Sequence, residues 1–177
     1  MSLLDTIVPT SNPRVMDLVR EAGIDVGDWA NYAKGPSAAA ANPKYCYEWA
    51  YAGSEVVVLN LWLGNMREER GRIVHTANYR ADAEEYQAAG AKSNWHQRGF
   101  ALDRALQKAL RDNLPIRVIV NVGERRPRNG AEETASSVKK RRLDKEAWTI
   151  ARYEWATGAC DLVRGWHAAP AEAEARE

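Results

Sequence analysis

The chain has 177 residues, with 25 Lys and Arg against 24 Asp and Glu. That length suits one domain with a real core, and the near-neutral balance excludes a bulk charge that would by itself name a partner. No apolar run approaches the roughly 20 residues of a membrane helix. The N-terminus MSLLDTIVPT has neither the basic region nor the apolar core of a signal peptide, and Cys46 and Cys160 lack the spacing of a disulfide framework or a zinc site. A reducing cytoplasm is the expected setting.

Asn12-Pro13 predicts a first helix, with Asn12 as cap, an apolar stripe of Val15, Leu18, Val19 and Ala22, and Gly23 as its stop. Residues 25–33 read as a short helix or turn, and Gly35-Pro36 opens a loop. Tyr45 to Tyr51 alternates and is aromatic, which predicts a strand. By period two, Tyr45, Tyr47, Trp49 and Tyr51 share one face, either as the core side of the sheet or as a stacking platform. Glu55 to Leu63 predicts a second strand, apolar on both faces in its first half and so central. Arg72 to Tyr79 predicts a third, and the three read as an antiparallel meander.

Helices follow at 81–89 and 94–113. The second has Trp95, Phe100, Leu102, Ala105, Leu106, Ala109 and Leu110 at helical spacing, and Asn113-Leu114-Pro115 stops it. Ile116 to Val122 predicts a strand. Trp148 to Trp155 and Cys160 to Arg164 predict a hairpin around Ala156-Thr157-Gly158. The expected fold is α+β: a mostly antiparallel sheet of five to six strands with three to four helices packed on it. A single domain is expected over 1–167, and the Ala/Glu/Pro-rich 168–177 reads as a linker-like tail.

Between the strands that end at Val122 and begin at Trp148 lie Arg125, Arg126, Arg128, Lys139, Lys140, Arg141, Arg142 and Lys145. Eight cations in one excursion of a neutral chain make a local positive field, the usual partner of which is a polyanion. A solvated loop kept in solution by its charge is the competing reading. The aromatic balance points the same way as the cations. Seven Trp and seven Tyr against one Phe favour surfaces that are half apolar and half polar.

No P-loop, GxGxxG, GxSxG, HExxH or HNH-type zinc arrangement occurs. The sequence therefore names no catalytic residue, no metal site and no cofactor. The phrases NPRVMDLVREAGIDVGDWA, ANPKYCYEWA, VVVLNLW, LPIRVIVNVGERR, SSVKKRRLDKEAW and YEWATGACDLVRG together resemble the N-terminal domain of bacterial HNH restriction endonucleases that act on modified DNA. The likeness runs from about Asn12 to Gly165. It implies a reader of 5-methyl- or hydroxymethylcytosine in double-stranded DNA, with the HNH nuclease domain C-terminal in a longer parent chain and no cutting by this segment.

On that reading Arg125, Arg126, Arg128, Lys139, Lys140, Arg141 and Arg142 contact phosphate or a groove. Tyr47, Trp49, Trp62, Trp148 and Tyr153 supply the wall of a modified-base pocket. An RNA-binding module would use the same charges and rings. A small enzyme would have to draw on scattered residues such as His75, Glu48, Asn60 and His96.

Overall fold

The computed structural model describes residues 1–125 and 136–165, the side chain of Ser93 excepted. Arg126, Arg128 and the expected tail lie outside the described residues. The chain opens with a 3-10 turn at Leu4–Ile7 that buries Ile7. Helix α1 (Val15–Glu21) follows, with Val15, Leu18 and Val19 inward. It begins later than Asn12-Pro13 predicts, and Arg14 holds the cap position without a side-chain cap.

Two more 3-10 turns, Gly27–Ala30 and Pro36–Ala41, lead to the four-residue helix α2 (Pro43–Cys46). Here Asn-Pro does act as a start signal: the Asn42 side chain accepts the Lys44 amide at 3.0 Å, and Pro43 needs no donor. The remaining elements are β1 (Ala50–Ala52), β2 (Val57–Trp62), β3 (Met66–Glu69), β4 (Arg72–Ala77), α3 (Tyr79–Ala88), α4 (Ser93–Arg111), β5 (Ile116–Glu124), β6 (Ser137–Leu143), β7 (Trp148–Tyr153) and β8 (Cys160–Arg164).

The fold is α+β, as composition and patterning predict, with helices packed on a mixed, mostly antiparallel sheet. Eight strands take part rather than five or six, in the order β1-β2-β5-β7-β8-β4-β3, with β6 also paired to β5. The predicted meander is corrected. β1 and β2 do pair antiparallel, but β4 lies between β3 and β8, on the far side of the sheet from β2. In its place β2 runs parallel to β5, from Val57 opposite Ile116 to Trp62 opposite Asn121. The connection between two parallel neighbours has to cross over the sheet, and α3 and α4 lie within it.

The predicted strand at Tyr45–Tyr51 is also corrected. Residues 43–46 wind into α2, and only Tyr51 of the aromatic row lies within β1. The row is therefore dispersed. Tyr45 stacks on Trp29 with centroids 5.1 Å apart, Tyr51 is buried against α1, Trp49 packs on the α4 side, and Tyr47 is 64% exposed.

The sheet separates two cores, because β2 and β5 bury alternate residues on opposite faces. Val57, Leu59, Leu61, Val118 and Val120 meet Leu102, Ala105, Leu106 and Ala109 of α4, while Val58 and Ile119 meet α1. Each fully buried aliphatic contributes roughly 1.5–3 kcal/mol. Helices α3 and α4 approach closely at Gly99, where an added Cβ would stand 2.9 Å from that of Ala83. A bulge at Val122/Gly123 shifts the register of β5 against β6. A Cβ at Gly123 would lie 2.8 Å from the Lys139 amide nitrogen, so glycine alone fits there without displacement.

Candidate functional site

The parallel register brings β2 and β5 to a common C-terminal end, the place where segments leaving parallel strands diverge and leave room for a ligand. A cleft of about 550 Å³ lies there, within the range of small-molecule sites. Tyr47, Trp49, Trp62, Tyr79, Tyr86 and Trp95 line it, with Leu61 and Leu102 among the apolar residues between them. Three of the rings form a chain of edge-to-face contacts. Trp49 and Tyr86 have centroids 6.3 Å apart at 66°, and Tyr86 and Trp95 are 6.0 Å apart at 64°. That geometry is favourable between aromatic quadrupoles, and it links the segment before β1 to α3 and the start of α4.

Two asparagines set the position of this wall. Asn60 donates its side-chain amide to the Glu48 carbonyl at 2.9 Å, and its backbone amide to the Trp49 carbonyl at 2.9 Å. The Asn121 amide in turn lies 3.3 Å from Asn60 Oδ1, and Asn121 is only 5% exposed. A buried amide needs partners: Asn121 finds them in Asn60 Oδ1 and the Leu61 and Ile119 carbonyls, and Asn60 in turn holds the backbone that carries Tyr47 and Trp49.

The charged residues of the cleft are held unequally. Arg125 donates to Asn65 Oδ1. Arg98 lies over the Tyr47 ring, 5.8 Å from its centroid, and 3.8 Å from a Glu48 oxygen. Burial pushes the Glu48 carboxyl above its ordinary range, and Arg98 and Lys44 offset this only in part. Arg141 has no ion-pair partner among the described residues, and its Nε is buried without an acceptor. The titratable groups beside it are Tyr51 and Cys46. Burial raises the pKa of both, so both are neutral at pH 7. Burial likewise lowers the pKa of Arg141 itself. No family model, curated protein or solved structure matches this chain.

The expected pocket residues divide. Tyr47, Trp49 and Trp62 line the cleft. Trp148 does not: it is 0% exposed in the core and donates its indole N–H to Asp144 at 2.8 Å. Tyr153 is held on another side of α4. Its hydroxyl donates to Asp103 at 2.6 Å and accepts from Arg80 and Gln107, each at 3.0 Å.

The basic excursion divides as well, because its second half is strand β6 rather than a loop. Arg141 pairs across to Asn121 and lines the cleft. Arg142, next in the strand, points to the opposite face, where it reaches the Thr6 carbonyl at 3.4 Å. Lys139 pairs with Glu124 at 2.6 Å, and Lys140 is exposed.

Of the residues an enzyme reading would use, Glu48 and Asn60 line the cleft, but His75 and His96 do not. His75 is buried, with Nε2 2.6 Å from the Tyr79 hydroxyl. Among the described residues no group of three or more His, Cys, Asp or Glu side chains could hold a metal ion, and no helix is long and apolar enough to cross a membrane.

Tyr86, Trp95 and Asn121 are cleft residues that the sequence reading does not single out for binding. For Asn121 a signal exists. VVVLNLW and VIVNV each place one Asn in an otherwise apolar run, where β-propensity and burial both disfavour it.

Proposed function

We propose that this chain binds double-stranded DNA and recognises a modified cytosine in the cleft at the ends of β2 and β5. The observation that carries this reading is the joining, in one cleft, of aromatic walls, side-chain amides and arginines beside the cationic strand β6. Rings stack on any base, amides and carboxylates address its polar edge, and cations meet the phosphates. A methyl or hydroxymethyl group at C5 adds a small contact that a ring wall registers and open solvent does not. The resemblance noted in the sequence would join such a reader to an HNH nuclease domain in a longer chain.

The test is an electrophoretic shift with unmodified, methylated and hydroxymethylated duplexes of one sequence. The expected result is tighter binding of one modified form. Trp49→Ala or Trp62→Ala should lose about 1–3 kcal/mol of that preference while keeping most of the affinity for unmodified duplex, which phosphate contacts supply. Equal binding of all three duplexes by the wild type would leave a general nucleic-acid module in place of a reader.

A further inference from the structure

Three arginines line the cleft, Arg98, Arg125 and Arg141, and they differ in how their side chains are partnered. Arg98 has Glu48 and the face of Tyr47, although its Nε is likewise buried without a hydrogen bond, and Arg125 has Asn65. Arg141 sits on the cleft side of β6, half-buried, with Nε out of solvent and without an acceptor. A guanidinium withdrawn from water is costly to the folded state unless an anion meets it. The strand itself does not require a cation there, since its cross-strand neighbour is Asn121 and the next inward residue, Leu143, sits in an apolar core.

The rings add a second constraint. A base within a duplex has both faces covered by its neighbours. It can lie against Trp49 or Trp62 only after leaving the stack.

We infer that the cleft receives a whole nucleotide swung out of the helix, its base against the aromatic walls and its phosphate on the guanidinium of Arg141. This deepens the reading proposed above and rests on it. It assigns Arg141 the one phosphate that belongs to the recognised base, and it leaves Lys140 and Arg125 to backbone elsewhere on the duplex.

The experiment is a titration of the whole chain followed by tryptophan fluorescence, since Trp49, Trp62 and Trp95 line the cleft. The probes are deoxycytidine 5′-monophosphate, its 5-methyl form, the two corresponding nucleosides, and inorganic phosphate, each up to millimolar concentration. The monophosphates should bind at least about tenfold more tightly than the nucleosides, the scale of one charge-assisted hydrogen-bonded pair. Arg141→Gln should erase that difference without weakening the nucleosides, and Arg141→Lys should restore part of it.

A second measurement guards against a merely structural role. The melting temperature of ligand-free Arg141→Gln should equal or exceed that of wild type, because a half-buried cation with no ion-pair partner among the described residues has been removed. Equal binding of nucleoside and nucleotide, binding of neither, or a clear fall in melting temperature overturns the inference. Duplex binding with no mononucleotide binding would indicate groove contact and leave the DNA reading intact. Mononucleotide binding without duplex binding would overturn the DNA reading and leave a free-nucleotide site.

Discussion

Asp144 shows how one buried charge is made tolerable. It is 1% exposed, yet it accepts from Arg164 at 2.7 and 2.9 Å, from the Trp148 indole at 2.8 Å and from the Glu146 amide at 3.2 Å. Burial alone would raise its pKa. The Arg164, Trp148 and Glu146 hydrogen bonds outweigh that and hold it below the ordinary carboxylate range. Folded Asp144 therefore binds its proton more weakly than it does in the unfolded chain. Its contribution is present above the unfolded pKa and is lost as pH falls through the lower folded value. Asp144→Asn should be less stable at pH 7 by roughly 1.5–3 kcal/mol, because the buried carboxylate's charge-assisted bonds to Arg164 are lost and Arg164 keeps only Glu146, at 2.8 Å. Its stability should also fall less steeply than wild type below about pH 4. Urea unfolding at several pH values reads both effects. A mutant curve parallel to wild type in acid would show that Asp144 is not a source of the acid sensitivity.

Between elements, the network that holds the β7–β8 turn to the helices is the counterpart of the cleft. Arg80 on α3 donates to Asp103 on α4, to the Tyr153 hydroxyl on β7, and to the carbonyls of Trp155 and Ala156 in the turn. Tyr153→Phe removes a hydroxyl bonded to Arg80, Asp103 and Gln107, with a predicted stability loss of about 1–3 kcal/mol. Duplex binding by the folded fraction should not change. A selective loss of modified-duplex preference in Tyr153→Phe would return this tyrosine to the recognition site.

That a tyrosine in an alternating strand reads as a pocket wall marks a limit of pattern. Period two tells which residues share a face, not which face meets solvent. The long periodic elements, α4, β2, β5 and the β7–β8 hairpin, are legible because their apolar residues repeat over several turns or pleats. The short β1 and β3 carry only three and four residues, too few to repeat anything. In YCYEWAY the alternation coincides with a helix start that Asn42-Pro43 imposes from outside the pattern. The cleft was half legible for the same reason. Tyr47, Trp49 and Trp62 belong to strands or sit beside them. Tyr86, Trp95 and Arg98 come from helices that only the parallel β2–β5 crossover places nearby, and the hairpin-like spacing of the strands does not announce that crossover.

For the molecule as a whole, the arrangement of β5 matters most. One of its sides is covered from Ile116 to Asn121 by β2. The other is shared, with β7 meeting it at Ile116 alone and β6 from Ile119 to Glu124. Among the described residues β6 pairs with no other strand, and although the Ser11 carbonyl accepts the Arg141 amide at 2.9 Å, the rest of that edge offers a row of backbone donors and acceptors. Such a row is a template for a strand from another copy of the chain, and charged side chains, lysine above all, are a common deterrent to that pairing. On the proposed reading the cations of β6 would serve two ends, one toward a ligand and one against self-association. Replacing Lys139 and Lys140 together by Thr, a residue that favours strands, should yield a chain with unchanged circular dichroism that associates as its concentration rises in sedimentation velocity. If the double variant stays monomeric at every concentration, those lysines are not what keeps the edge apart. If it associates, the variants that most directly test binding through β6 are also the ones most prone to lose their partner to each other.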